Sequence, residues 1–169
     1  MIVRLEAHAD RSASIEVERA AFERPLESTI VEAVRDEAGS FALVAEIDGD
    51  IVGHVQMSRA QVGETDVLAL GPIGVLPDRQ QRGIGSSLVR AALEEAGDRG
   101  KPAVILLGDP SLYGPLGFAP GSRYGLRNPF GGMQEGDFVV AEEDFQIAVL
   151  DEARAARLAG AVRWHPAFG

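Results

Sequence analysis

The sequence predicts a mixed α/β fold in which helices flank a central mixed β-sheet. Phe41–Ile47 and Ile51–Arg59 alternate apolar and polar residues about an Asp-Gly turn, which is typical of a β-hairpin. A strand that ends at Val75, a helix that begins at Ile84 and the apolar run Ala103–Leu107 follow in that order. A helix between two buried strands indicates a parallel crossover.

The segments before the hairpin predict one strand and two helices. Ile2–Leu5 has the composition of a short strand, and Asp10 can cap a helix that runs to about Phe22. A second helix is expected to begin at Pro25 and to end at Gly39, because proline suits a helix start and glycine a helix stop.

The second half of the chain predicts shorter elements. Asp109 can cap a short helix over Leu112–Leu116, and residues 119–137 form a predicted long loop because glycine, proline and polar residues dominate them. Phe145–Leu150 is a predicted late strand. The aromatic tail Val162–Phe168 is expected to pack back on the body of the protein.

The length of 169 residues predicts a single domain over residues 1–169 with a sizeable core. The chain has no cysteine, which excludes disulfides and thiolate metal sites, and its three histidines have no metal-ligand spacing. No apolar run approaches the roughly 18 residues of a membrane span. We therefore expect a cytoplasmic protein with no membrane partner and no metal.

The formal net charge of −10 argues against a nucleic-acid partner, because phosphate contacts need clustered Lys and Arg, and Lys101 is the only lysine. An acidic surface suits a cationic substrate, although it is also a common means of keeping a protein soluble.

The segment Gln80–Ser87 combines two glycines with the predicted start of a helix. The first turn of a helix leaves about four N–H donors unpaired and carries partial positive charge. Gly83 and Gly85 would let an anion approach these donors closely, and Arg82 adds a cation. The segment therefore predicts a phosphate site, with simple helix punctuation as the alternative.

Two motifs resemble the GCN5-related N-acetyltransferase superfamily. Its signature at the start of the central helix, Gln/Arg-x-x-Gly-x-Gly/Ala, matches Gln80-x-x-Gly83-x-Gly85. A later Tyr-x-x-x-Gly-Phe matches the residues from Tyr113 to Phe118. The chain is most similar to a small bacterial branch with Leu-Gly-Pro in the fourth strand and Gly-Asp-Pro after the fifth.

The resemblance implies an acyl-coenzyme A fold in which the sheet splays between strands 4 and 5, with acetyl-coenzyme A as co-substrate. The implied pyrophosphate cradle consists of Gln80, Gln81, Arg82, Gly83, Ile84, Gly85, Ser86 and Ser87. The backbone of Ile73, Gly74 and Val75 would pair with the pantetheine amides, and an N–H near Val75 would stabilise the oxyanion. The implied reaction is direct attack of an amine on the thioester through a tetrahedral intermediate.

Tyr113 is the candidate acid for the leaving thiolate, because a phenol can donate a proton and stays neutral at pH 7. The base is less defined. In some relatives a glutamate stands on the fourth strand at the position of Ala69, and that carboxylate is missing here. His54 is the candidate base, directly or through water. Glu64 and Asp66 lie upstream on the same strand, where surface solvation is the expected role.

The expected acceptor is a primary amine on a small molecule or a peptide. The missing strand glutamate keeps a second function open, a non-catalytic acyl-coenzyme A sensor or interaction module. Members of the family often form dimers, so the resemblance leaves a homodimer open as well.

Overall fold

The computed structural model describes residues 1–22, 25–135 and 138–169. The helices are α1 (Arg11–Ala21), α2 (Leu26–Val34), α3 (Ile84–Asp98), α4 (Pro110–Tyr113) and α5 (Glu152–Ala155). The strands are β1 (Ile2–Leu5), β2 (Phe41–Ile47), β3 (Asp50–Val62), β4 (Thr65–Val75), β5 (Ala103–Leu107), β6 (Ala119–Pro120), β7 (Gln134–Glu135), β8 (Phe138–Val139), β9 (Phe145–Val149) and β10 (Val162–Arg163).

Within the described ranges, one eight-stranded sheet has the order β1-β2-β3-β4-β5-β9-β6, and β10 pairs with β3. β7 and β8 form a separate antiparallel pair. β4 and β5 are parallel, with Leu68 opposite Val104 and Ala69 opposite Ile105. The predicted mixed α/β class and the parallel crossover through α3 are therefore confirmed.

The contacts of the chain cluster into two compact units. Unit 1 consists of Met1–Ser58, Leu70–Glu95 and His165–Gly169, and unit 2 consists of Arg59–Ala69 and Ala96–Trp164.

In unit 1, α1 and α3 cover opposite faces of the strands. Successive strand residues point to opposite faces of a sheet, so the neighbours of Gly53 and of His54 show which helix covers each face. The position of a Cβ on Gly53 would lie 3.0 Å from both Ile84 Cγ2 and Leu88 Cδ1, which places α3 on that face. The His54 side chain contacts Glu18 of α1 on the other face.

The predicted hairpin of β2 and β3 is confirmed. Ile47 lies opposite Asp50, which leaves two residues in the turn. Asp48 and Gly49 both have positive φ, +53° and +91°, as the mirror-image turns of two-residue hairpins require.

The helices before the hairpin differ in detail from the prediction. Asp10 occupies the N-cap position of α1, but its carboxylate accepts the N–H of Ala7 and two bonds from Arg4 instead of capping the helix. α2 ends at Val34, earlier than predicted, because the following residues form tight turns such as Glu37 N–H to Val34 O before Gly39 is reached.

Unit 2 is built on β5, which pairs with β9 along its whole length, from Ala103 opposite Val149 to Leu107 opposite Phe145. Trp164 contacts Phe130 and Phe145 edge-on, which confirms that this part of the aromatic tail packs back. The buried core of the unit consists of Ala60, Val62, Val67, Ala69, Ala103, Ile105, Leu126, Phe145, Ile147, Ala155, Leu158 and Val162.

The predicted loop over residues 119–137 is wrong in part. It contains β6, which lies at the edge of the sheet and pairs with β9, and it contains β7. Residues 136 and 137 lie outside the described residues. Two-residue strands have no readable period, so the sequence gives no signal for them. The predicted short helix begins earlier, at Pro110, and Asp109 caps it as expected by accepting the Ser111 N–H at 2.8 Å.

No helix formed by the described residues is long and apolar enough to cross a membrane.

Gly74 allows α1 to approach β4 closely, and we expect Gly74→Ala to destabilise the protein. The added Cβ would lie 3.0 Å from Glu18 Oε2 and 3.2 Å from Ala21 Cβ. The buried Glu18 has no room to yield, so the free energy of unfolding should fall by about 1–2 kcal/mol in urea titrations. Gly97→Ala is the control: it has no neighbour within 4 Å and lies in α3, so it should stabilise by about 0.5–1 kcal/mol. Equal stability of the two variants would contradict this account of the close approach.

Candidate functional site

The last residues of β4 direct part of their backbone away from β3. The N–H of Leu76 donates to the carbonyl of Val52 in β3 at 2.9 Å. Because backbone groups alternate in direction along a strand, the N–H and C=O of Val75 point to the opposite side. The Val75 carbonyl accepts Nε2 of Gln80 at 3.0 Å, which ties the following loop to the strand.

The loop after β4 turns sharply into α3. Gln81 and Gly83 both have positive φ, +57° and +78°. The bond from the N–H of Ser87 to the carbonyl of Gly83, at 3.0 Å, closes the first turn, and the Ser87 hydroxyl donates to the same carbonyl. The four N–H groups that precede it, those of Gly83, Ile84, Gly85 and Ser86, are the donors that a helix start leaves without an intrahelical acceptor.

The space over these donors is open in unit 1. A Cβ on Gly83 would have no neighbour within 4 Å, and one on Gly85 would meet only Val75 Cγ2 at 3.9 Å. Gln81 and Arg82 are exposed, whereas Ile84 is buried and anchors the turn. The structure therefore brings all eleven predicted coenzyme-binding residues together within unit 1, where the helix start provides donors, a cation and room for an anion.

His54 lies in the same unit but is fully buried, with none of its surface exposed. Its Nδ1 lies 2.6 Å from Oε1 of Glu18, which is also fully buried. Burial raises the pKa of Glu18, and the hydrogen bond with His54 opposes part of that rise. The N–H of Gly74 faces the same carboxylate outside hydrogen-bond geometry.

A second carboxylate lies beyond His54. Nε2 of His54 is 3.8 Å from Oε1 of Glu6, and the same oxygen is 3.3 Å from Nη2 of Arg35. The Glu6 and Arg35 side chains are only 7% and 9% exposed. Four ionisable side chains thus form one row, from Arg35 through Glu6 and His54 to Glu18.

Tyr113 lies in unit 2, at the end of α4. Its ring packs edge-on against Phe118 with 5.8 Å between centroids, and it covers Gly108 so closely that a Cβ there would lie 2.5 Å from its Cε2. Burial raises the pKa of the Tyr113 phenol, so that it remains protonated at neutral pH. The local packing orients a neutral O–H donor.

Unit 2 also has two shallow clefts, on either side of Arg127. One, of about 350 Å³, is lined by Ser122, Gly125, Leu126, Arg127 and Glu142. The other, of about 390 Å³, is lined by Gly125, Arg127, Pro129, Gly160, Ala161 and Val162. Among the residues that the structure describes, no three His, Asp or Glu side chains form a group that could hold a metal ion.

Asp66, one of the two upstream strand carboxylates, is engaged at the surface. It accepts Nε2 of Gln61 at 2.9 Å and lies 3.8 Å from Arg59, and the Gln61 bond holds its pKa below the usual range.

Sequence reasoning missed Glu18, Glu6 and Arg35. One signal was available for Glu18: it shares the buried face of α1 with Ser14, Ile15 and Val17. A carboxylate on the apolar face of an amphipathic helix requires a buried partner.

Comparison with known proteins agrees with this geometry. The sequence model of the acetyltransferase (GNAT) family matches residues 5–118. The Escherichia coli (strain K12) protein named uncharacterized N-acetyltransferase YhbS is 28% identical over 172 residues, covering 99% of this chain and 98% of that protein. The E. coli (strain K12) protein named uncharacterized N-acetyltransferase YjhQ is 32% identical over 119 residues, or 66% of each chain.

Two solved structures extend the likeness to the fold. E. coli YhbS, crystallised with CoA, has a TM-score of 0.86 and 27% identity, with 99% of this chain and 91% of that chain covered. A GNAT family acetyltransferase from Brucella melitensis, crystallised with acetyl-CoA, has a TM-score of 0.77 and 29% identity, with 99% and 97% covered. The chain belongs to the acetyltransferase (GNAT) family, whose members are acetyl-CoA-dependent acyltransferases.

Proposed function

We propose that this protein transfers the acetyl group of acetyl-CoA to a primary amine of a small molecule or a peptide, by direct attack through a tetrahedral intermediate. The observation that carries the proposal is the set of open N–H donors at the start of α3, next to the outward-facing backbone of Val75. Two similar proteins were crystallised with CoA or acetyl-CoA, which supports the same ligand here.

The start of α3 binds the pyrophosphate in this proposal. The N–H groups of Gly83, Ile84, Gly85 and Ser86 supply hydrogen bonds, and the helix dipole and Arg82 supply positive charge. Gln80 fixes the loop to Val75, and Gln81 provides the left-handed turn that aims the donors outward. Ser87 closes the first turn through both its N–H and its hydroxyl.

The end of β4 binds the pantetheine arm and the reacting carbonyl. The amides of the arm pair with the backbone groups of Ile73 and with the carbonyl of Val75, which has a second lone pair beside the one that accepts Nε2 of Gln80. Gly74 keeps the strand close to Glu18. The N–H of Val75 is the oxyanion donor, because a fixed backbone N–H stabilises the charge that develops on the carbonyl oxygen.

Tyr113 protonates the departing thiolate. A phenol whose pKa is raised by burial holds its proton at neutral pH and can donate it as the carbon–sulfur bond breaks. His54 is the proposed base for the proton of the amine, and its hydrogen bond with Glu18 fixes the orientation of its ring.

The direct test of the proposal is an assay with a panel of acceptor amines. Thiol release from acetyl-CoA is measured with polyamines, aminoglycosides and lysine peptides, in parallel with calorimetric binding of acetyl-CoA. We expect binding, and turnover with at least one amine. Binding without turnover would favour the acyl-CoA sensor, and absence of binding would contradict both functions.

Ser86→Asp separates a coenzyme cradle from a simple helix start. An acidic residue in the first turn favours the helix dipole, so stability should hold or rise by about 0.5 kcal/mol. The same charge should repel a pyrophosphate, and we expect the calorimetric Kd of acetyl-CoA to rise at least about tenfold. The control is Arg90→Gln, an equal change of net charge on the exposed side of α3. Equal affinities of the two variants would show that α3 does not bind the coenzyme.

Tyr113→Phe tests the acid. Loss of the phenol proton should lower kcat by about 10- to 100-fold and leave the Kd of acetyl-CoA within twofold. The other tyrosine, Tyr124, is 37% exposed, and Tyr124→Phe is the matched control. An unchanged kcat in Tyr113→Phe would exclude the role.

A further inference from the structure

The row from Arg35 to Glu18 contains a proton that two side chains share. Arg35 and Glu6 neutralise each other at one end of the row. At the other end, the 2.6 Å separation of Glu18 Oε1 and His54 Nδ1 requires one proton between two acceptor atoms. When Nε2 also carries a proton, the pair is imidazolium and carboxylate with the shared proton on Nδ1, and imidazole and carboxylic acid with it on Oε1. The pair is neutral in both states, so the proton moves without creating net buried charge.

Two buried atoms at the ends of this pair are left without hydrogen bonds to any described residue. They are Oε2 of Glu18 and Nε2 of His54. Leaving such atoms unpaired costs free energy, so each of them can take up a further hydrogen bond. Oε2 faces Gly74, in the strand segment that we propose binds the thioester arm, and Nε2 faces Glu6 at 3.8 Å.

The surroundings favour a carboxylate that can hold a proton. The ionisable groups that face Glu18 are His54 from β3 and Glu27 from α2, and Gly74 of β4 presents only backbone. Desolvation raises the pKa of Glu18, Glu27 adds to the rise, and His54 opposes it. The ionisable groups that face His54 are Glu18, and Glu6 with its partner Arg35.

We propose that Glu18 and His54 form a proton relay that takes the proton of the acceptor amine from the Gly74 side and passes it outward to Glu6. This proposal rests on the acetyltransferase function proposed above. It assigns the proton-accepting carboxylate to α1, whereas the sequence motifs offered only His54.

The proton balance of the relay closes. The ammonium N–H bond breaks at the site, and the proton that it releases forms an O–H bond on Oε2 of Glu18, which lies buried beneath Gly74. The proton already shared between Oε1 and Nδ1 moves onto His54, which releases its Nε2 proton to Glu6. Glu6 and Arg35 are the two members of the row with some solvent exposure, so the proton leaves there. No electron is gained or lost.

Glu18→Gln tests the relay. Glutamine keeps the shape of the side chain and can still accept a bond from Nδ1, but it cannot take up a proton at neutral pH. We expect kcat to fall about 100-fold, while the Kd of acetyl-CoA stays within twofold. A relay must be unprotonated to accept a proton, so wild-type kcat should rise with pH through the pKa of Glu18, and this acidic limb should be absent in Glu18→Gln.

The control is Glu46→Gln, which neutralises a partly buried carboxylate of the same unit that pairs with Arg4. Its kcat and pH profile should match wild type. Glu18→Asp keeps a carboxylate, and its kcat should lie clearly above that of Glu18→Gln, with the acidic limb retained. Circular dichroism and the acetyl-CoA Kd establish that each variant is folded.

The outcomes separate the relay from the proposed function. If Glu18→Gln has the same kcat and the same acidic limb as wild type, the relay is overturned and the acetyltransferase function stays intact. Wild-type protein that binds acetyl-CoA but acetylates no amine would overturn both. If Glu18→Gln fails to fold, Glu6→Gln at the outer end of the row tests the relay instead. A kcat about tenfold lower at unchanged acetyl-CoA affinity supports the relay. An unchanged kcat overturns it.

Discussion

Unit 1 depends on the buried hydrogen bond between Glu18 and His54. It joins α1 to β3 at a point where neither side chain reaches solvent. Removing one member of a buried ionic pair outright costs about 3–5 kcal/mol, because the other charge is left without a partner. The glycine at position 74 belongs to the same arrangement, since a Cβ there would lie only 3.0 Å from Oε2 of Glu18. The position of α1 over β4 therefore follows from chemistry in the core and not from apolar packing alone.

The start of α3 combines stability with open donors. Glycine at position 83 adopts its φ of +78° without strain, and it has no side chain that could bond the free N–H groups. Glycine in a cap position costs only a few tenths of a kcal/mol relative to serine, threonine or aspartate, so the donors remain open at little expense. Burial of Ile84 and Leu88 against the sheet stabilises the helix instead, and Gly53 provides the space for both. The fold can therefore keep its N–H groups free for a ligand.

Features that depend on neighbouring residues were predictable from the sequence. The Asp48-Gly49 hairpin, the crossover through α3 and the cap at Asp109 rest on local geometry, and all three were confirmed. The local geometry of the proposed coenzyme segment was predictable for the same reason, because Gln80–Ser87 is contiguous in the chain. The Glu18–His54 pair was not, because its members are 36 residues apart and meet only when α1 packs on β3. The two-residue strands β6 and β10 likewise exist only through their partners, β9 and β3.

The alanine at position 69 and the glutamate at position 18 have one physical explanation. Ala69 lies opposite Ile105 in the sheet and belongs to the apolar core of unit 2, where it is fully buried. A carboxylate at position 69 would lie among the apolar side chains of this core. Burying its charge without a partner there would cost several kcal/mol. Glu18 is equally buried, but His54 shares a proton with it, and Glu6 and Arg35 balance the remaining charge. Among the described residues of unit 1, this row offers a carboxylate the partners that the Ala69 position lacks, which is why a buried carboxylate is sustainable on α1 in this chain.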